Sequence, residues 1–335
     1  MKKKILLIGI MTGILMSGCS GKETEANSEP AADEIVTENV TETLPEVTEE
    51  VIQEPEEEKK VRPEVVVKEL KDVTLQGDNI YTCTYDDVKH DFIVELPKNS
   101  ENAPLVVMLH GYGESAEGFK GKVHFEERAC EEGYGVVYVT GAPDPNDKTS
   151  ANGWNSGIGE GGNEDVGFLI ALARYLQDEY GFDKERTFAV GFSNGAFMIH
   201  RLAMEAQDTY SALVSVAGMM PEAVWEYKND TNNVSFMQIT GEKDDVVPKN
   251  SDGSAAHSNA PAIEDVMTYW AFSNGLVDAE ISDIGKRSTI TKHTGEGNKK
   301  QVWDIFVKDA RHSWPDETLT GIDTNGIILE FLNTQ

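Results

Sequence analysis

The chain has 335 residues, of which 39% are hydrophobic and 26% are charged, so it is long enough to bury the core of one large domain. Its formal net charge is −30 at pH 7, and a surface this negative repels phosphate backbones, which excludes nucleic acid as an expected partner. We interpret the acidity as a source of solubility.

The N-terminal segment has the features of an export signal. Three lysines follow Met1, and the apolar stretch over 5–16 suits the core of a signal peptide but is short for a membrane span. The letters L-M-S-G-C at 15–19 then resemble a bacterial lipoprotein processing site. That resemblance implies removal of residues 1–18, lipidation of Cys19 and anchoring to the outer face of the bacterial cell membrane. The alternative is an ordinary signal peptide followed by a chance cysteine.

An acidic spacer is predicted after the leader. Residues 23–58 contain fourteen Asp and Glu residues and no Lys or Arg, and the stretch up to residue 62 has no aromatic residue. Such a composition cannot bury enough apolar surface to offset the entropy lost on ordering, so we expect disorder. The predicted organisation is therefore a leader over 1–18, a lipidated cysteine and disordered spacer over 19–62, and one globular domain over 63–335.

Strand and helix patterns alternate from about residue 64 onward. The predicted strands cover 65–67, 80–84, 92–96, 105–109, 136–139, 187–190, 212–216, 234–239 and 302–307. The predicted helices cover 166–180, 194–206, 262–272 and 324–332. This alternation with short turns predicts an α/β fold with a mostly parallel central sheet and helices on both faces.

The strongest chemical signal lies between a predicted strand and a predicted helix. The segment 191–195 has the form G-x-S-x-G, with Ser193 at its centre, and directly follows the apolar strand. The pattern is typical of a tight turn that exposes the serine hydroxyl at a helix N-terminus, where backbone N–H groups favour developing negative charge. We therefore predict Ser193 as a nucleophile. The alternative is a glycine-rich turn with an idle serine.

A nucleophilic serine needs a general base, which follows it along the chain in hydrolases with this turn. The histidines after the serine are His200, His257, His293 and His312. His312 is the predicted base because it lies in a short loop between the predicted strand 302–307 and the last helix. His200 lies on the helix after the serine and is expected to point away from the turn.

The acid that orients the base is expected just past the strand 234–239. Asp244 is the favoured residue there, and Asp245 is its rival. An oxyanion hole also needs two backbone N–H donors. We predict those of Asn194, next to the serine, and Tyr112, in the loop after the strand 105–109. His110 is interpreted as a residue that shapes this loop.

Six motifs occur in order and together resemble one esterase group. They are Pro104-Leu-Val-Val-Met-Leu-His-Gly, Gly153-Trp-Asn, Asp165-Val-Gly-Phe-Leu, Gly191-Phe-Ser-Asn-Gly-Ala, Gly241-Glu-Lys-Asp and His312-Ser-Trp-Pro. The set resembles the polyhydroxybutyrate-depolymerase-like and feruloyl-esterase-like group, similar to carbohydrate esterase family 1, from about residue 80 to 333. The resemblance implies an α/β-hydrolase fold in a single catalytic domain and a serine esterase with no cofactor. The chain also has no H-E-x-x-H or C-x-x-C metal motif.

The resemblance implies release of feruloyl or acetyl groups from plant cell-wall polysaccharide through an acyl-enzyme. One alternative is a polyester depolymerase or general short-chain esterase, and another is a non-catalytic surface lipoprotein that binds through the same scaffold. Candidate substrate-binding residues are Tyr112, Trp154 and Trp314, whose rings suit a phenolic acid or a sugar and equally suit packing. Cys83 and Cys130 could form a disulfide or stay free.

Overall fold

A computed structural model describes residues 3–6, 60–146, 148–158, 162–250 and 259–335 of the chain. The predicted lipidation site Cys19 lies outside these ranges, as do most of the predicted leader and spacer. Those assignments stay predictions.

Strands and helices alternate along the described residues. The strands are β1 (Lys3–Leu6), β2 (Lys71–Gly77), β3 (Ile80–Tyr85), β4 (Val88–Glu95), β5 (Leu105–Leu109), β6 (Gly135–Val139), β7 (Thr187–Phe192), β8 (Ala212–Val216), β9 (Ser235–Gly241), β10 (Asp278–Ile284), β11 (Ser288–Thr294) and β12 (Val302–Val307). The helices are α1 (Ala116–Val123), α2 (Phe125–Glu131), α3 (Asp165–Tyr180), α4 (Asn194–Glu205), α5 (Glu222–Trp225), α6 (Ile263–Ser273) and α7 (Thr324–Leu332). Among these helices, none combines the length and hydropathy needed to cross a bilayer.

The described strands form one sheet in the order β1-β10-β11-β12-β9-β8-β7-β5-β6-β4-β3-β2. The six central strands, from β12 to β6, run parallel to one another. Antiparallel strands extend the sheet at both edges. Because parallel strands end on the same side of a sheet, the loops after β5, β7, β9 and β12 emerge together, where α/β proteins place their sites.

Helices cover both faces of the sheet. On one face α3, α4 and α6 share a core with Leu105 and Val107 of β5, and on the other α1, α2 and α7 share a core with Val106 and Met108. These four residues of β5 are completely buried. Successive side chains of a strand point to opposite faces, so a fully apolar run is what a strand covered on both sides requires.

Strand β1 and helices α1, α2 and α5 were not among the predicted elements. The other differences from the predicted elements lie at the edges of the sheet. The strand predicted at 65–67 is wrong, because this segment is irregular and packs Val65 and Val67 against the core while the next N–H, that of Lys68, donates to the Tyr85 hydroxyl at 3.0 Å. The edge strand β2 and the hairpin of β10 and β11 were not predicted, because they are rich in polar residues and form by pairing with neighbouring strands. Both Cys83 and Cys130 are free thiols.

Candidate active site

Ser193 lies in the tight turn between β7 and α4. Its backbone has φ 53° and ψ −119°, a conformation that residues other than glycine rarely adopt. A Cβ atom on Gly191 would lie 2.3 Å from the carbonyl oxygen of Gly195, and one on Gly195 would lie 2.3 Å from that of Leu109. Neither position can hold a side chain, which explains why a turn this tight needs a glycine two residues before and two residues after the serine.

Three side chains at the ends of parallel strands form a hydrogen-bonded chain. His312 Nε2 lies 2.8 Å from Ser193 Oγ, and His312 Nδ1 lies 2.9 Å from Asp244 Oδ2. These residues are far apart in sequence and come together because β7, β9 and β12 end on the same side of the sheet. In this arrangement a neutral imidazole can accept the serine proton at Nε2 while its Nδ1–H donates to the carboxylate.

Asp244, and not its neighbour Asp245, faces the imidazole. The Asp244 side chain is 1% exposed, and its Oδ1 accepts hydrogen bonds from the N–H groups of Val246 and Val247 at 3.0 and 2.8 Å. The Asp245 side chain is 72% exposed and lies 3.7 Å from Arg311. Two backbone donors and burial therefore fix the orientation of Asp244, whereas Asp245 forms an exposed ion pair with Arg311.

The other histidines after Ser193 lie elsewhere. His200 is fully buried against Phe236, with ring centres 4.9 Å apart, and burial lowers its pKa to about 3. His293 is buried in β11, and burial lowers its pKa as well. His257 lies outside the described residues. Of the histidines that the structure describes, His312 is the one bonded to the serine.

The two predicted oxyanion donors lie on segments next to Ser193. Asn194 is the first residue of α4, so its N–H has no hydrogen-bond acceptor within the helix. Tyr112 belongs to the loop after β5, which packs directly on the nucleophile, since a Cβ atom on Gly111 would lie 3.4 Å from that of Ser193. Asn152 holds this loop by accepting from the N–H of Gly113 at 2.7 Å. The donation of both N–H groups to an oxyanion stays a prediction.

His110 holds the same loop through hydrogen bonds. Its Nε2 accepts a hydrogen bond from the N–H of Gly141 at 2.9 Å, so its Nδ1 carries the proton and donates to the carbonyl of Gly111 at 2.7 Å. The His110 carbonyl accepts a hydrogen bond from Trp154 Nε1 at 2.9 Å. Burial lowers the pKa of this histidine, which favours the neutral ring that these bonds require.

A cavity of about 320 Å³ opens beside Ser193. Three apolar side chains that line it are exposed at its mouth, namely Tyr112, Ile158 and Val246. Asp144 is the one charged side chain among the described residues that line it. A cavity with apolar walls, few charges and an adjacent nucleophile suits a neutral organic group.

The three aromatic residues predicted to bind substrate have different places. Tyr112 and Trp154 line the cavity, Tyr112 half-exposed and Trp154 buried in the wall. Trp314 is absent from the described lining, because its ring packs edge-on against Phe119 at 5.7 Å and its Nε1–H donates to Asn325 Oδ1 at 3.1 Å. The sequence around Trp314 does not reveal which way the ring turns, and packing on the core decides it.

The polar groups that hold the cavity wall were not identified from the sequence. The side chain of Asn194 accepts from the N–H of Trp154 at 2.7 Å and donates to the carbonyl of Trp154 at 3.3 Å. Asp165 and Arg201 bond the next residue, Asn155. The only sequence signal was the presence of Asn194 and Asp165 in the matched motifs, which does not say what they contact.

Comparisons with known proteins show what the chain is similar to. The family model described as serine hydrolase (FSH1) matches residues 100–271. The protein NocK of Nocardia uniformis subsp. tsuyamanensis, named as an esterase, is 31% identical over 173 residues, which are 50% of this chain and 47% of that protein. Feruloyl esterase B of Talaromyces stipitatus is 26% identical over 160 residues, which are 47% of this chain and 42% of the relative. The chain thus spans about half the length of the curated relatives it matches.

A solved structure provides the comparison of folds. Acetyl xylan esterase from Aspergillus awamori aligns with a TM-score of 0.52 at 15% identity, over 80% of this chain and 100% of that one. At this identity the likeness concerns the fold alone. The predicted α/β-hydrolase fold, with its parallel centre and its helices on both faces, is confirmed.

Proposed function

Since the chain belongs to the serine hydrolase (FSH1) family, we propose that it hydrolyses carboxylic esters with Ser193 as its nucleophile. The observation that carries this proposal is the hydrogen-bonded chain from Ser193 through His312 to Asp244, with contacts of 2.8 and 2.9 Å. A nucleophile, a base and an orienting acid bonded in this order can carry out acyl transfer to a serine. Relatives that are named as esterases support carboxylic esters as the substrate class.

The proposed mechanism proceeds through an acyl-enzyme. His312 takes the Ser193 proton as the hydroxyl oxygen attacks the ester carbonyl, and Asp244 stabilises the imidazolium that forms. The N–H groups of Tyr112 and Asn194 donate to the oxyanion. The imidazolium then gives its proton to the departing alcohol. Water attacks the acyl-enzyme by the same route, which releases the acid and restores the serine.

The proposed substrate is a feruloyl or acetyl ester of plant cell-wall polysaccharide. A relative named feruloyl esterase B supports the feruloyl ester, and a cavity of about 320 Å³ with Tyr112 at its mouth offers room and an aromatic surface for a phenolic acyl group. A second candidate is a polyester depolymerase or general short-chain esterase, which the exposed apolar residues Ile158 and Val246 favour. A purely binding lipoprotein has no need for three mutually bonded catalytic groups.

Activity toward esters that share a leaving alcohol would distinguish these candidates. We expect kcat/KM for methyl ferulate to exceed that for methyl butyrate by about tenfold or more, because a fitted acyl pocket discriminates on this scale. Acetylated xylan and polyhydroxybutyrate film would be assayed in parallel by the release of acetate or hydroxybutyrate. Equal rates on both methyl esters, or release from the polyester alone, would favour the second candidate.

We further propose that Cys19 carries the lipid that anchors the protein to the outer face of the bacterial membrane. Replacing Cys19 with alanine is expected to prevent acylation and to leave esterase activity unchanged, because the spacer separates the anchor from the globular domain. Mass spectrometry of the mature N-terminus should find a diacylated or triacylated cysteine. Cys130→Ala is the matched control and should stay membrane-bound. A soluble, unmodified N-terminus from wild-type cells would refute the anchor.

A further inference from the structure

Two oppositely charged side chains bind the backbone of one residue in the cavity wall. Asn155 lines the cavity, and its N–H donates to Asp165 Oδ2 at 2.7 Å. Its carbonyl oxygen accepts a hydrogen bond from Arg201 Nη1 at 2.6 Å. Asp165 begins α3 and Arg201 lies on α4. A carboxylate and a guanidinium on two helices therefore form hydrogen bonds with both backbone polar groups of a single residue. Hydrogen bonds to charged partners are stronger than those between neutral groups.

The carboxylate of Asp165 is buried, which makes its ionised form costly. The residue is 1% exposed, and burial raises its pKa to about 6, although the Asn155 N–H and the charge of Arg201 act in the opposite direction. Its second oxygen has no hydrogen-bond partner among the described residues. An apolar side chain would avoid the desolvation of an ionised group. Holding Asn155 in place accounts for an acidic residue here.

Arg201 is itself held in one position. The side chain of Glu205, one turn further along α4, is 1% exposed and accepts from Arg201 Nε at 2.8 Å, and the hydroxyl of Tyr227 donates to it at 2.6 Å. A guanidinium in a buried ion pair of this kind has little freedom to move. The N-terminal residue of the same helix, Asn194, bonds the backbone of Trp154. The wall segment 154–155 is thus tied to α4, the helix that carries Ser193 at its start.

We propose that Asp165 and Arg201 are positioning residues that fix the wall of the acyl cavity through Asn155 and so allow bulky acyl groups to bind. Neither side chain touches the reacting atoms. An acetyl group fills only a small part of a cavity of about 320 Å³ and has little need of this wall, whereas a phenylpropenoyl group that fills the cavity must contact it. The inference rests on the proposed esterase function and assigns these two residues to substrate selection.

The test compares two nitrophenyl esters on the full-length protein. For Asp165→Ala and Arg201→Met, we expect KM for 4-nitrophenyl ferulate to rise about tenfold or more. We expect kcat for this ester to stay within about threefold of wild type, because these variants weaken substrate binding but leave the reacting groups in place. Both constants for 4-nitrophenyl acetate should stay within about threefold. Asp165→Asn keeps an oxygen acceptor for the Asn155 N–H and should restore much of the affinity. Arg128→Met, on a helix of the opposite face, is the control.

The rate at which a small fluorophosphonate labels Ser193 separates positioning from folding. We expect this rate to be unchanged in both variants. Equal losses on both esters together with slower labelling, or an unchanged KM for the ferulate ester, would overturn the inference. Arg201→Lys, which keeps the charge, provides a second test if Asp165→Ala does not fold, and it should raise KM for the ferulate ester less than Arg201→Met does. Failure of the proposed function itself would look different, because wild-type Ser193 would then neither label nor hydrolyse either ester.

Discussion

Replacing Ser193 or His312 with alanine is expected to lower kcat for ester hydrolysis by roughly 10⁵-fold or more. Ser193 Oγ is the atom that would form the acyl bond, and His312 Nε2, at 2.8 Å, is the base bonded to it. Without the oxygen no acyl-enzyme forms, and without the base the hydroxyl stays protonated. Steady-state hydrolysis of a nitrophenyl ester by purified variants would measure the effect.

The double variant should be little slower than either single variant, because nucleophile and base act as one unit and the loss of either removes the same pathway. A fluorophosphonate should label wild-type protein at Ser193, and mass spectrometry of the peptide would locate the adduct. His124→Ala, at an exposed histidine, is the matched control and should hydrolyse the ester normally. Near-normal activity of Ser193→Ala would refute the proposed mechanism.

Replacing Asp244 with asparagine is expected to lower kcat by roughly 10³–10⁴-fold. The amide can present an N–H to His312 Nδ1, where the carboxylate accepts a hydrogen bond from the Nδ1–H. This favours the wrong tautomer and leaves the imidazolium unstabilised. The Asp244 carboxylate is shielded from water, since its side chain is 1% exposed and its other oxygen accepts two backbone N–H bonds. Steady-state kcat with the same nitrophenyl ester would measure the loss.

The adjacent Asp245 provides a control one residue away. Its side chain is 72% exposed and paired at 3.7 Å with Arg311, and surface ion pairs of this kind contribute little to stability. Asp245→Asn should therefore keep kcat within about threefold of wild type. If Asp245→Asn were the more damaging change, the assignment of the acid would be wrong while the roles of Ser193 and His312 would stand.

The central strands and the nucleophile turn were predictable because their causes are local. The run 105–109 is apolar at every position, and only a strand or helix buried on all sides tolerates that. The glycines at 191 and 195 mark a turn in which an added Cβ atom would lie 2.3 Å from a backbone carbonyl oxygen. Each of these features depends on residues that are close together in the chain. The sequence alone is therefore sufficient to predict the strand and the turn, and to select Ser193.

The edges of the sheet and the surroundings of the nucleophile were decided by the tertiary structure. The polar strands β2 and β10 gain their conformation from neighbours on other strands, and few of their own residues are apolar. The sequence favoured Asp244 over its rival Asp245, but only the path of the chain after β9 decides which of them faces His312. The hydrogen bonds of Asp165 and Arg201 with Asn155 join two helices and a loop. No local sequence pattern predicts these contacts, because they form only when the helices and the loop pack together.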